Sequence, residues 1–169
     1  MSTRQNKKAV SICITGDIDY FETETVEGCL SPLFRILKKY DVKMTLPITA
    51  RAVKDFPERA QYVLEQGHEI AVHGDVHRPF YGTVEEQVER SKKGPRYAPE
   101  EARRIANIWL DIVRDMKRRT DKLFVVQTHP YIVSPSYINV IDIFLGSVVN
   151  DDEVELKLLG DVTKTFLSR

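Results

Sequence analysis

Short apolar runs alternate with amphipathic segments along this chain, and the alternation predicts its elements. Residues 9–15 (Ala-Val-Ser-Ile-Cys-Ile-Thr) are a β-branched apolar run closed by Gly16, the pattern of a buried strand. Between 26 and 40, Leu30, Leu33, Phe34, Ile36 and Leu37 recur at helical spacing, and Lys38 and Lys39 close the segment as cations close a helix. A second strand is expected over 42–49, ending near Pro47, which cannot donate to a ladder. Residues 50–66 predict a helix, interrupted or restarted at Pro57 and stopped by Gly67, and residues 68–73 a third strand. A charged helical stretch over 84–93 is broken by Gly94-Pro-Arg96-Tyr-Ala-Pro99. The clearest amphipathic helix covers 100–119, with Ala102, Ile105, Ile108, Trp109, Ile112, Val113 and Met116 on one stripe. A fourth strand over 123–128, a helix over 137–148 and a short alternating strand over 153–158 follow.

Strand, helix, strand, helix, strand in this order implies parallel strands joined by right-handed crossovers, an α/β fold. All strand C-terminal ends then emerge on one face, where α/β proteins place their chemistry. With no linker, repeat or low-complexity segment, residues 1–169 are expected to be a single domain.

Composition narrows the classes. Apolar residues make up 42% and charged residues 30%, as in ordinary globular proteins, and 25 basic residues balance 25 acidic ones. A neutral chain argues against nucleic acid as partner. A polar N-terminus and the lack of a long apolar run argue against a membrane and place the chain in the cytoplasm by expectation. Cys13 and Cys29 read as buried, reduced thiols rather than a disulfide framework.

The candidate chemistry falls at the strand ends. Asp17-Ile-Asp19 follows the first strand, and His73-Gly-Asp-Val-His77 follows the third. Two imidazoles and a carboxylate are the ligand set of a catalytic zinc-type site, which keeps a position open for water. A second carboxylate two residues away can take that water's proton. His129 ends the fourth strand as His73 ends the third. Taken singly, Asp-x-Asp is also a common turn or cap, and His-x-x-x-His often means nothing. His68 is expected to pack or hydrogen-bond structurally, Asp75 to shape the loop between the histidines, and Trp109 to lie in the core.

Thr15-Gly-Asp17-Ile-Asp19 and Gly67-His-Glu-Ile-Ala-Val-His73-Gly-Asp-Val-His77 together resemble the first two motifs of the polysaccharide deacetylase (NodB homology, carbohydrate esterase family 4) family, in its Asp-x-Asp branch. Val125-Val-Gln-Thr-His129-Pro-Tyr-Ile resembles its last motif. The resemblance implies an incomplete or distorted (β/α) barrel. It implies Asp19, His73 and His77 as ligands of a divalent metal, zinc by preference, with cobalt or another divalent ion as alternatives. It makes Asp17 the general base and His129 the general acid on the leaving amine. The implied reaction is deacetylation of an N-acetylated sugar or related small amide. Alternatives are an allantoinase-like carbon–nitrogen hydrolase and a degenerate homologue that binds metal or a partner without turnover.

The interval from His77 to His129 is shorter than the family's, so the domain reads as shortened between 78 and 122. The family's arginine motif, which orients the base, has only a faint counterpart in Gly94-Pro-Arg96-Tyr-Ala-Pro99, making Arg96 the candidate substrate-binding residue. No good counterpart of the tryptophan motif is seen. A shortened barrel either stays open or closes through another subunit, so a dimer is expected.

Overall fold

A computed structural model of the chain describes residues 9–19, 30–74, 99–119, 122–128 and 135–168. Five parallel strands form one sheet: β1 (Val10–Gly16), β2 (Thr45–Ile48), β3 (Glu69–Val72), β4 (Leu123–Thr128) and β5 (Val154–Leu156). The order is β3-β2-β1-β4. Strand β4 runs along one edge of β1 from Ser11↔Leu123 to Gly16↔Thr128. The opposite edge is shared, with β5 pairing at Val10 to Ile12 and β2 at Thr15↔Thr45. The described residues also form helices α1 (Ser31–Lys39), α2 (Ala50–Asp55), α3 (Pro57–Glu65), α4 (Pro99–Met116), α5 (Pro135–Val148) and α6 (Leu159–Leu167). The architecture is the expected α/β one, an open parallel sheet with alternating helices. Among the described residues no helix is long and apolar enough to cross a membrane.

The core forms where the helices close on the central strand. Val10, Ile12 and Ile14 of β1 are buried with Leu33 and Leu37 of α1 and Val140, Ile141, Phe144 and Leu145 of α5. Each such side chain contributes roughly 1.5–3 kcal/mol by leaving water. Phe144 meets Trp109 edge-on at 5.4 Å and Phe124 at 6.1 Å, so Trp109 belongs to the core as expected. Cys13 is a buried free thiol, its pKa pushed up to about 11 by burial and then by nearby Glu69. Cys29 lies outside the described residues.

The structure refines several expected elements. Gly67 does stop α3, in the left-handed region at φ 78° that favours glycine. The second strand begins at Thr45 rather than 42 and passes through Pro47 to Ile48. Pro47 is tolerated because its missing N–H faces β1 at a gap in the ladder, between Thr15↔Thr45 and the lone Ile18↔Ile48 bridge. The stripe on α4 is narrower than its sequence indicates. Ala102, Ala106 and Val113 are buried, while Ile108 and Ile112 are 46% and 41% exposed. Trp109 is the side chain of α4 that meets α5, at Tyr137 and Phe144, and the two isoleucines stay largely uncovered.

Helix α6 has no local start signal. Its N-cap, Leu158, makes no side-chain cap bond. Distant residues cap it instead. The Leu159 N–H donates to Thr45 Oγ1 at 2.9 Å, the Gly160 N–H donates to Glu69 Oε2 at 3.1 Å, and the Thr45 hydroxyl donates to the same oxygen at 2.6 Å. A carboxylate suits the positive end of a helix. Gly160 permits the approach, since a Cβ there would stand 2.2 Å from Glu69 Oε1.

His68 has the structural role expected of it. Its Nδ1 accepts from the Met44 N–H at 3.3 Å, and its ring packs against Phe34 at 4.2 Å with the planes tilted by 40°. Burial, followed by the charge of Lys43, lowers its pKa to about 4 from an ordinary 6.5. The unfolded chain therefore takes up a proton below pH 6.5 that the folded chain refuses until about pH 4. Stability from this group is fully present above pH 6.5 and is lost towards pH 4, by up to about 1.4 kcal/mol per pH unit. Urea unfolding at stepped pH tests this. His68→Asn, which keeps an acceptor for Met44, is expected to flatten the slope; an unchanged slope would refute the assignment.

Candidate functional site

Strand β1 ends at Gly16, and the chain runs on through Asp17, Ile18 and Asp19. Ile18 is pinned into the core at 1% exposure. Its N–H donates to Pro47 O at 2.8 Å, and its carbonyl accepts from the Thr49 N–H at 3.1 Å. Side chains alternate along extended backbone, so burying Ile18 turns both neighbouring aspartates to the other side. That is the physical content of the Asp-x-Asp spacing. Both aspartates are buried, at 6% exposure each.

His73 arrives from β3. Its N–H donates to Ile48 O at 3.1 Å, extending the β2–β3 ladder by one bond past Val72. Its Nε2 lies 3.4 Å from Asp19 Oδ1 and 3.8 Å from Asp17 Oδ2. Three residues expected from the sequence to share a site therefore meet at the C-terminal ends of β1 and β3. His77, His129, Arg96 and Asp75 lie outside the described residues.

Two supporting residues were not anticipated. The Thr49 hydroxyl donates to the Asp19 carbonyl at 2.8 Å and accepts from the Ala52 N–H at 3.2 Å, capping α2 and bracing Asp19 together. A threonine directly before a helix was the available signal. Gln127 Nε2 donates to Asp17 Oδ2 at 2.8 Å. It stands opposite Thr15 in the β1–β4 register, and the Asp17 N–H donates to Thr128 O at 3.1 Å. Only the strand register could have revealed this contact.

The donor set can be tested against a divalent ion. Tetrahedral zinc with bonds of about 2.0–2.2 Å holds neighbouring ligand atoms about 3.3–3.5 Å apart. The Asp19–His73 separation of 3.4 Å meets that spacing, and the Asp17–His73 separation of 3.8 Å exceeds it. Imidazole with carboxylate also suits zinc or cobalt chemically. Among the described residues no three His, Cys, Asp or Glu side chains form a set able to hold an ion, and Asp19 and His73 are the one pair whose spacing fits neighbouring ligands.

Comparisons with known proteins agree with this architecture. A family profile described as polysaccharide deacetylase matches residues 4–105. No curated protein sequence matches the chain. Among solved structures, the chain is similar to the PuuE allantoinase with a TM-score of 0.72 and 9% identity, over 97% of this chain and 92% of that one. It is similar to a family 4 acetyl xylan esterase from Clostridium thermocellum, in complex with a cobalt ion, with a TM-score of 0.58 and 15% identity over 92% and 91%. It is also similar to a mutant of BA3943, a CE4 family pseudoenzyme with restored enzymatic activity, with a TM-score of 0.56 and 13% identity over 92% and 68%. At these identities the structures speak for the fold. The family profile, matching well over half of the chain with both carboxylates and both histidine positions inside it, shows that this chain belongs to the polysaccharide deacetylase family.

Proposed function

We propose that this chain is a metal-dependent hydrolase of carbon–nitrogen bonds that deacetylates an N-acetylated sugar or a related small amide. The observation carrying this reading is the Asp19–His73 pair at 3.4 Å beside buried Asp17, at the C-terminal ends of parallel strands. Asp19, His73 and His77 are the residues that would hold the metal. The cobalt complex of the acetyl xylan esterase supports a divalent ion. When bound there, such an ion supplies Lewis acidity to a water and to the substrate carbonyl.

The remaining work belongs to side chains. Asp17 accepts the proton of the attacking water. Gln127 and the Thr128 carbonyl keep it oriented while it does so. His129 returns a proton to the departing nitrogen, so that an amine leaves rather than an amide anion. An imidazole suits that role because its ordinary pKa lies near neutrality. A ureide is the second substrate class, supported by the fold match to the allantoinase.

Metal analysis of the purified protein is the deciding experiment, coupled to acetate release from N-acetylglucosamine oligomers and to allantoin hydrolysis. The expected result is about one equivalent of zinc or a similar ion per chain, with turnover of one substrate class. Metal without turnover of any acetylated sugar or ureide would favour a degenerate homologue, as the pseudoenzyme neighbour illustrates. No metal, even after soaking in zinc or cobalt, would overturn the hydrolase reading.

A further inference from the structure

Two carboxylates approach the same imidazole nitrogen, yet a hydrolase of this kind needs one as ligand and one as base. The two are braced by different walls. Asp19 belongs to the β2–β3 wall: its carbonyl is held by Thr49, and its side chain faces His73, itself bonded to Ile48. Asp17 is tied to β4 twice, by its N–H to Thr128 and by its Oδ2, which accepts from Gln127. That oxygen is also the Asp17 atom nearest His73, so it is the one that would enter a ligand set. A carboxylate oxygen holding a hydrogen bond from an amide gives up part of that bond if it moves to a cation.

We propose that Gln127 is a positioning residue that keeps Asp17 out of the metal's ligand set and so reserves it for proton transfer. The inference rests on the metal-hydrolase reading above. It deepens that reading by dividing the site: ligands on the β2–β3 side, the base on the β4 side. Gln127 reaches the buried aspartate from an exposed position on β4, so changing it does not open the core. The bond is selective in kind. A neutral amide orients Asp17 while adding no positive charge to compete with a cation.

The test is a titration with Co2+, followed by its visible absorption, on wild type, Gln127→Met, Asp17→Asn and the double variant Gln127→Met/Asp17→Asn. Methionine keeps the length and loses the donor. With Asp17 released to join Asp19, Gln127→Met is expected to bind Co2+ about tenfold more tightly. Its band should weaken, as it does when cobalt's coordination number rises. In the double variant both changes should vanish, because Asp17 is what enters. If Gln127→Met matches wild type in affinity and spectrum, or if its altered binding persists in the double variant, the proposal is overturned while the hydrolase reading stands. If wild type itself takes up no Co2+, the hydrolase reading fails first and the proposal falls with it. A merely structural glutamine would not tighten metal binding, so the sign of the change separates the two roles.

Discussion

Asp17→Asn is expected to lower turnover by about 10²–10⁴-fold, the usual contribution of a positioned acid or base, while metal content stays that of wild type. Asparagine matches the carboxylate in shape and can still accept from Gln127 through its carbonyl oxygen. It lacks the basicity to take a proton from water. Asp17 also lies 3.8 Å from His73 Nε2, beyond the spacing of neighbouring zinc ligands, so its charge is not required to hold the ion. The check is a parallel measurement of metal stoichiometry and kcat. Loss of metal in this variant would make Asp17 a ligand. Full activity would remove it as the base.

His73→Ala is expected to lose metal and activity together. Changes that merely disturb a ligand's support cost about 10–100-fold in affinity or activity, and deleting the imidazole goes further. Only Asp19 then remains of the described pair. His68→Asn is the matched control on the same segment. His68 lies just before β3, its ring tilted against Phe34 and its Nδ1 bonded to Met44, and the variant should keep wild-type metal content. If His73→Ala retained metal while His68→Asn lost it, the site assignment would be wrong. The contrast is informative because the two histidines, five positions apart, flank the same strand at its opposite ends.

Much of the site was legible because its signals are local. Asp17 and Asp19 share a face since alternation around a buried Ile18 requires it, and that follows from the residues themselves. His73 sits at a strand end because an apolar run stops there. Gly67 announces the end of α3 for the same kind of reason, a short-range backbone preference. Helix α6 was not legible, because its cap comes from Thr45 and Glu69, about a hundred positions upstream, rather than from Leu158. The exposure of Ile108 and Ile112 was equally hidden, since helical periodicity names an apolar stripe without saying how much of it a partner covers.

Amino-acid order alone determined the α/β alternation, the placement of Asp17, Asp19 and His73 at strand ends, and the family resemblance that the profile match bears out. These depend on periodicity and spacing within a few residues. Tertiary structure decided which strands lie side by side, and with that which groups brace each aspartate. Gln127 reaches Asp17 across 110 positions because β4 pairs with β1 in one particular register. Shifting that register by one residue would turn Gln127 to the other face of the sheet. Register is set by the summed burial of whole strands and by hydrogen bonds between distant segments, quantities that no local stretch of residues contains.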